Sequence, residues 1–140
     1  SMCEWVALES EIAERSRLTA AYHEQAELLA REGVDLIVLE MCSHPVHSPL
    51  IVEAALATGL PVWLGVSCVR DPDTGRLVGF DPPHIDFDAR IAGLASSGVV
   101  VINVMHSAIG DTADGIAAVI ATIFSSRSPS RTNWSENTLV

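Results

Sequence analysis

The sequence predicts an α/β domain in which parallel strands alternate with helices, forming all or part of a barrel-type architecture. Three short apolar runs rich in β-branched residues each come after a helical segment. Such alternation is typical of a parallel sheet with right-handed crossovers. Hydrophobic residues make up 49% of the chain and aromatic residues only 5%, which indicates an aliphatic core of strands buried under helices.

The first predicted elements are a helix over residues 5–31 and a strand over residues 34–40. In the helix, apolar residues recur at three- and four-residue intervals, and most of the Glu residues lie between them. Gly33 is a suitable C-terminal stop for this helix. The strand is nearly all apolar until it ends in Glu40, which favours a buried strand of a parallel sheet.

The strand–helix pattern then repeats. Ser48 and Pro49 predict a helix start, with Ser48 as the cap and Pro49 at the first helical position, and the helix is expected to end near residue 58. A second strand is predicted over residues 61–68. Asp, Pro and Gly in residues 71–75 then give a strong turn signal.

The helix of the second unit is predicted over residues 86–97, after an irregular segment over residues 77–83. The third unit consists of a strand over residues 99–104 and a last helix from Asp111 or Thr112 to about residue 124. Gly98 ends the first of these helices. The order of elements is therefore one helix followed by three strand–helix units.

The length of 140 residues suggests one domain. We assign this α/β domain to residues 1–124. From Ser125 the composition changes to Ser, Arg, Asn and Thr, so residues 125–140 are predicted to form an irregular C-terminal tail.

Charge and composition exclude several function classes. The net charge is -10 with a pI of about 4.7, so we expect no nucleic-acid partner, which would need a basic surface. All eight basic residues are Arg, which excludes a lysine Schiff base and a Walker-type phosphate loop. No apolar run is long enough to cross a membrane. An odd cysteine count and the lack of a signal-peptide pattern favour a cytoplasmic location.

Three predicted strands end abruptly in polar or sulfur-containing residues. The ends are Glu40-Met41-Cys42, Ser67-Cys68 and Asn103-Val104-Met105-His106. Ligands of parallel α/β folds bind at the carboxyl ends of the strands. A partly buried carboxylate at Glu40 needs a partner, either a substrate ammonium group or an arginine in a structural ion pair. The Asn103 amide could orient a polar substrate or only terminate its strand.

The cysteines and histidines are weaker candidates. Cys42 and Cys68 in apolar settings are more often small buried residues than nucleophiles or ligands. Cys42, His44 and His47 form a Cys-x-His-x-x-His pattern that could bind zinc, but no second cluster has metal spacing. His106 could be either functional or structural.

Residues 22–40 resemble the central part of the homocysteine S-methyltransferase family, the betaine- and S-methylmethionine-type thiol methyltransferases. In both, a helix leads through Gly33-Val34-Asp35 into a strand that ends in Glu40. Residues 58–68 are similar to the family's next helix end and strand, and Gly75-Arg76-Leu77 is similar to the following loop. The resemblance extends over about residues 18–107.

The resemblance implies a TIM-type (βα)8 barrel, which usually needs about 250 residues. The three strands here would match the fourth, fifth and sixth strands of a partial or shortened barrel. The implied reaction moves a methyl group from a sulfonium or ammonium donor to a thiol amino acid, as in methionine biosynthesis. Glu40 would hold the amino group, and we expect Ser67, Asn103 and His106 to complete the substrate site. No catalytic residue is assigned.

The resembled family uses zinc, which three cysteines bind and which holds the substrate thiol as a thiolate. Val104 stands where the first of these cysteines would follow Asn103, and the paired cysteines near the family's C-terminus have no counterpart here. We therefore expect no zinc to be bound by this chain.

Two alternatives stay open. Three strands cannot close a barrel, and the open edges of an apolar sheet favour self-association, so the chain could be a non-catalytic, homo-oligomeric barrel homologue or fragment. It could also be a barrel-type lyase or hydrolase that uses Glu40 and His106 as acid and base.

Overall fold

A computed structural model describes residues 8–81, 84–95 and 97–126 of the chain. The helices are α1 (Leu8–Arg31), α2 (His47–Ala57), α3 (Phe87–Ala95) and α4 (Ile109–Ser126). The strands are β1 (Ile37–Leu39), β2 (Val62–Val66), β3 (Cys68–Arg70), β4 (Leu77–Gly79) and β5 (Val101–Val104). Cys3, the predicted helix start at Trp5 and residues 127–140 of the predicted tail lie outside the described residues.

The main sheet has three parallel strands in the order β1-β2-β5. Leu39 pairs with Leu64, and Leu64 pairs in turn with Ile102. Helices connect the paired strands, α2 between β1 and β2 and α3 between β2 and β5. The predicted α/β class with parallel strands is therefore confirmed, and the sheet in this structure is small and unclosed.

The helices cover one face of this sheet. Val62, Leu64 and Val66 are almost completely buried, because their side chains point from β2 into a core shared with Phe87 and Ile91 of α3. Side chains alternate along a strand, so the residues between them point to the other side of the sheet.

The opposite side of the sheet, which we call the open face, carries Val38, Trp63 and Val101. These residues pair in one row across β1, β2 and β5. They are 45%, 39% and 37% exposed, so the described residues do not cover this face as the helices cover the other.

A hairpin of β3 and β4 interrupts the expected strand–helix alternation. The predicted strand over residues 61–68 ends at Val66, and β3 begins after Ser67 in a separate two-stranded sheet. The segment expected to be irregular contains β4, which pairs antiparallel with β3. The predicted turn is present between them, where Asp71 Oδ1 accepts hydrogen bonds from Thr74 N at 2.8 Å and Thr74 Oγ1 at 2.9 Å. This local Asx turn brings the two strands into register.

The hairpin is attached to α4 by Arg70. Its Nε donates to Asp111 Oδ1 at 3.2 Å, and its guanidinium also pairs with Asp114. The connection from β2 to α3 therefore contains this hairpin, which lies at the carboxyl edge of the main sheet.

Helix α2 begins differently from the prediction. It starts at His47. The residue in the cap position is Val46, whose side chain makes no hydrogen bond to the first turn of the helix. Instead His44 Nδ1 accepts hydrogen bonds from Val46 N and His47 N, both at 3.2 Å. The Ser48 hydroxyl, expected to be the cap, donates to the His44 carbonyl at 2.7 Å.

Among the helices described, none combines the length and the apolar character needed to cross a membrane.

Candidate substrate-binding site

The strand register places three of the relevant positions in one row at the carboxyl edge of the sheet. Gly65 pairs with Asn103, and Glu40 follows Leu39, the partner of Leu64, so Glu40 is level with Gly65. Adjacent strands lie about 4.8 Å apart, which puts the Glu40 and Asn103 backbones about 10 Å apart. All three positions share the side of the sheet that carries the open face.

The absence of a side chain at Gly65 leaves room that Met105 occupies. A Cβ atom placed on Gly65 would lie 2.6 Å from Met105 Sδ and 2.9 Å from the Leu39 carbonyl oxygen. Met105 N donates to the Val66 carbonyl at 2.9 Å, which holds the Met105 backbone beside β2. The thioether therefore forms an apolar floor between Glu40 and Asn103.

Asn103 contributes an unused hydrogen-bond acceptor. Its Oδ1 atom is buried and has no hydrogen-bond partner among the residues that the structure describes. This is an uncommon state for a buried amide, because desolvation without a partner costs about 1–3 kcal/mol. A ligand N–H or O–H group would satisfy it. The sequence-based expectation that Asn103 meets a polar substrate is compatible with this geometry.

Glu40 is exposed at the sheet edge, not partly buried as expected. The chain bends immediately after it, because Met41 adopts a left-handed backbone and Cys42 N donates to the Gly65 carbonyl at 2.7 Å. Within the described part of the chain, the Glu40 carboxylate forms no ion pair. The structural ion pair considered above is therefore not seen there.

Ser67 is almost completely buried, and its Oγ atom has no hydrogen-bond partner in the described part of the chain. Its carbonyl accepts from Ser43 Oγ and from Phe80 N, both at 3.2 Å. Ser67 thus joins the loop after β1 to the hairpin, and its hydroxyl is a second unsatisfied group near the strand ends.

His106 lies two residues beyond β5 and is exposed. Its φ is 49°, and Met41, two residues beyond β1, has a φ of 52°. A left-handed conformation costs a residue with a side chain about 1–2 kcal/mol. The ends of the two outer strands of the main sheet are therefore followed by strained residues, a feature that clusters at functional sites. No contact between His106 and Glu40 is present to support an acid–base pair.

The thiols of Cys42 and Cys68 are held in the protonated form. Burial raises the pKa of Cys42 to about 11. Burial also raises the pKa of Cys68, against a smaller opposing effect of its hydrogen bond with Ser107. Both side chains behave as small buried residues, as the sequence indicated.

The Cys-x-His-x-x-His pattern has a structural role. His44 Nδ1 is occupied by the backbone of α2, and His47 Nδ1 is hydrogen-bonded to the Tyr22 hydroxyl at 2.8 Å. The two imidazole rings meet edge to face with centroids 4.4 Å apart.

The residues present do not fit the family's zinc centre. Val104 faces α4, because a Cβ atom on Gly115 of that helix would lie 3.2 Å from Val104 Cγ1. No group of three or more His, Cys, Asp or Glu side chains in residues 8–81, 84–95 and 97–126 could hold a metal ion. No step of the chemistry discussed below therefore passes through zinc.

Sequence reasoning missed the roles of Met105 and Arg90. Met105 was predicted to lie at a polar strand end but was not predicted to be a site residue. Its position over Gly65 depends on the register between β2 and β5, which the sequence alone does not reveal. Arg90 is buried beside the loop after β1, where Nη2 donates to the His44 carbonyl at 2.5 Å. An arginine in a short helix gives no sequence signal of burial.

Comparison with known proteins matches residues 3–105 to the homocysteine S-methyltransferase family. The match includes β1, β2 and β5, and it includes Glu40, Ser67 and Asn103 at the carboxyl edge of the sheet. No curated protein matches the chain. Because the match covers well over half of the 140 residues, the family suggested by the sequence is confirmed, and the chain belongs to the homocysteine S-methyltransferase family.

Proposed function

We propose that this chain binds a thiol amino acid at the carboxyl edge of its sheet, as the homocysteine-binding part of a methyltransferase barrel. The observation that carries the proposal is the row formed by Glu40, Gly65 and Asn103. It combines an exposed carboxylate with a buried amide oxygen that has no partner. Both groups accept hydrogen bonds, and a substrate ammonium group offers three donors.

The proposed pose uses the chain's own groups only. The Glu40 carboxylate binds the substrate ammonium group by a charge-assisted hydrogen bond, and Asn103 Oδ1 accepts another N–H. The substrate's aliphatic chain lies on the Met105 thioether. His106 and the Ser67 hydroxyl border this space. The methyl donor, a sulfonium or quaternary ammonium compound, would bind as the second substrate, since methyl transfer requires alignment of both.

We further propose that the described sheet is a section of a (βα)8 barrel and that residues 1–124 form this α/β unit. Two features support the barrel section. The parallel strands are adjacent in chain order, and the helices that the structure describes cover only the side opposite the open face. In a closed barrel the open face would be the interior.

Calorimetric titration with homocysteine tests the substrate proposal. Glu40→Gln removes the charge and keeps the size, so we expect binding to weaken at least tenfold. Glu53→Gln, a change of another exposed Glu, is the matched control and should leave the affinity unchanged. Homocysteine binding that is unaltered by Glu40→Gln would refute the role of Glu40.

A methyl-transfer assay with homocysteine and S-methylmethionine, combined with metal analysis, tests whether the chain is also a catalyst. Binding without turnover in metal-free protein would support a site that binds its amino acid without transferring the methyl group. Methyl transfer by zinc-loaded protein would show that residues other than Val104 bind the metal ion.

The second candidate is a non-catalytic barrel section that associates with another copy of itself. The exposed apolar open face favours it. So do Ile116, Ile120 and Phe124, which recur every four residues along α4 and are 46%, 50% and 72% exposed. Contiguous apolar surface of this kind marks interaction sites in soluble proteins.

A further inference from the structure

A separate cleft lies between helices α2 and α3. It has a volume of about 540 Å³, which is in the range of small-molecule sites. Its walls are mostly apolar. They include Pro45, Pro49, Val52, Leu56, Ile85 and Leu94. None of the four proposed substrate-binding residues lines this cleft.

Arg90 is the buried charge of the cleft. The residue is 8% exposed, yet its Nε atom has no hydrogen-bond partner among residues 8–81, 84–95 and 97–126. Nη2 donates to the His44 carbonyl at 2.5 Å, but Arg90 forms no ion pair with any carboxylate in the described part of the chain. A guanidinium does not give up its proton in proteins, so this charge is buried without an adjacent counter-ion.

The surroundings indicate which counter-ion the cleft suits. Burial lowers the pKa of Arg90, and the opposing charge effects of Cys42 and then Asp81 are smaller. A bound anion would repay part of the desolvation cost, since breaking or omitting the partner of a buried charge is expensive. Glu53 also lines the cleft and is exposed, so a ligand with several negative charges would be repelled there.

We infer that this cleft binds a small apolar monocarboxylate. The carboxylate accepts hydrogen bonds from the free Nε–H of Arg90, in the planar geometry that guanidinium groups favour. The alkyl part of the ligand packs against Val52, Leu56 and Leu94. This site is independent of the proposed thiol amino acid site.

Titration with hexanoate, followed by calorimetry or amide chemical shifts, tests this inference. We expect saturable 1:1 binding. Hexanamide and hexylamine, which keep the alkyl chain but lack the negative charge, should bind at least tenfold more weakly. Hexanoate that binds no better than hexanamide, or does not saturate up to its solubility limit, would overturn the assignment.

Two variants locate the binding. Arg90→Met should weaken hexanoate binding at least tenfold, although it also removes the contact with His44 and so could disturb folding. Gly93→Phe keeps Arg90 and fills the cleft, because Gly93 lines it and has open space around its Cβ position. Gly110→Phe on α4, another position with open space, is the matched control. Equal hexanoate affinities of Gly93→Phe and Gly110→Phe would place binding elsewhere and refute the inference.

Discussion

At the scale of single residues, His44 organises the turn between the sheet edge and α2. Its Nδ1 atom accepts two backbone N–H groups, and its carbonyl accepts hydrogen bonds from Ser48 and Arg90. An imidazole nitrogen can accept only when it carries no proton. The start of α2 therefore depends on a neutral His44 ring.

His44→Ala should lower the free energy of unfolding by about 1 kcal/mol at pH 7.5, the usual effect of losing a helix cap. Burial first, then the neighbouring His47, lowers the pKa of His44 below 6.5 in the folded state, with Asp81 opposing and Arg90 adding to the shift. The stabilisation by His44 is thus present above pH 6.5 and is lost as the pH falls through the folded pKa.

Urea unfolding of wild type and His44→Ala at pH 7.5 and pH 5 measures this effect. The difference between the two proteins should shrink at pH 5. Gln25→Ala, at an exposed position on α1 that has no titratable group, is the control and should show no such change. A difference that is the same at both pH values would contradict the capping role.

Cys42 gives a second prediction, at alkaline pH. Its pKa rises from 9.0 to about 11 on folding, so the unfolded chain loses this proton first and stability falls as the pH rises from 9 to 11. The stability difference between wild type and Cys42→Ala should decrease by about 2 kcal/mol between pH 8 and pH 10.5. Urea unfolding at the two pH values measures it, and a constant difference would mean that the buried thiol titrates normally.

At the scale of secondary-structure elements, the packing of β2 against the end of β5 depends on one glycine. Met105 occupies the space beside Gly65, and the Leu39 carbonyl oxygen limits the same space from β1. A glycine within a strand marks such a close approach. The contact between Met105 and Gly65 thus forms the floor of the proposed substrate site and also holds β2 against the end of β5.

Gly65→Ala should destabilise the protein by about 1–3 kcal/mol, the usual cost of overpacking. Met105→Ala in the same chain should recover only part of this loss, because the Leu39 backbone still limits the space. Gly93→Ala is an informative contrast. Its Cβ position is open, so alanine should stabilise α3 by about 1 kcal/mol. Thermal unfolding of these variants measures all three effects, and a neutral Gly65→Ala would show that Met105 does not occupy this space.

The elements were predictable to different degrees. The apolar runs that became β1, β2 and β5 and the Asx turn at Asp71 depend on local sequence, so the predictions were close. Strand β4 is stabilised by its pairing with β3, and the cap at His44 and the burial of Arg90 depend on contacts between distant segments. Local pattern carries no signal for such contacts. Glu40 was placed correctly at a strand end, but its exposure depends on the bend at Met41.

At the scale of the whole molecule, the dominant feature is a sheet that the described helices cover on one side only. The row of Val38, Trp63 and Val101 on the other side is apolar and accessible. Burial of apolar surface is the main favourable term in association. A second copy that covers this face would remove it from water.

We expect the apparent unfolding temperature to rise with protein concentration, because association stabilises only the folded chain. Trp63→Ser should abolish this dependence and weaken dimerisation at least tenfold in sedimentation experiments. Val46→Ser, which changes an exposed loop residue with 46% exposure, serves as the control. A wild-type chain that sediments as a monomer at high concentration would exclude the self-associating candidate.

The exposure of Trp63 has an optical consequence. The indole is 39% accessible to water, so its fluorescence should respond when another surface covers it. Trp5→Phe and Trp134→Phe together leave Trp63 as the sole indole of the sequence. In that background, a blue-shifted emission would report the arrival of a second copy or of further barrel strands, while hexanoate, bound in the cleft between α2 and α3, should leave it largely unchanged. The fluorescence of Trp63 would thus report the binding of any surface that covers the open face.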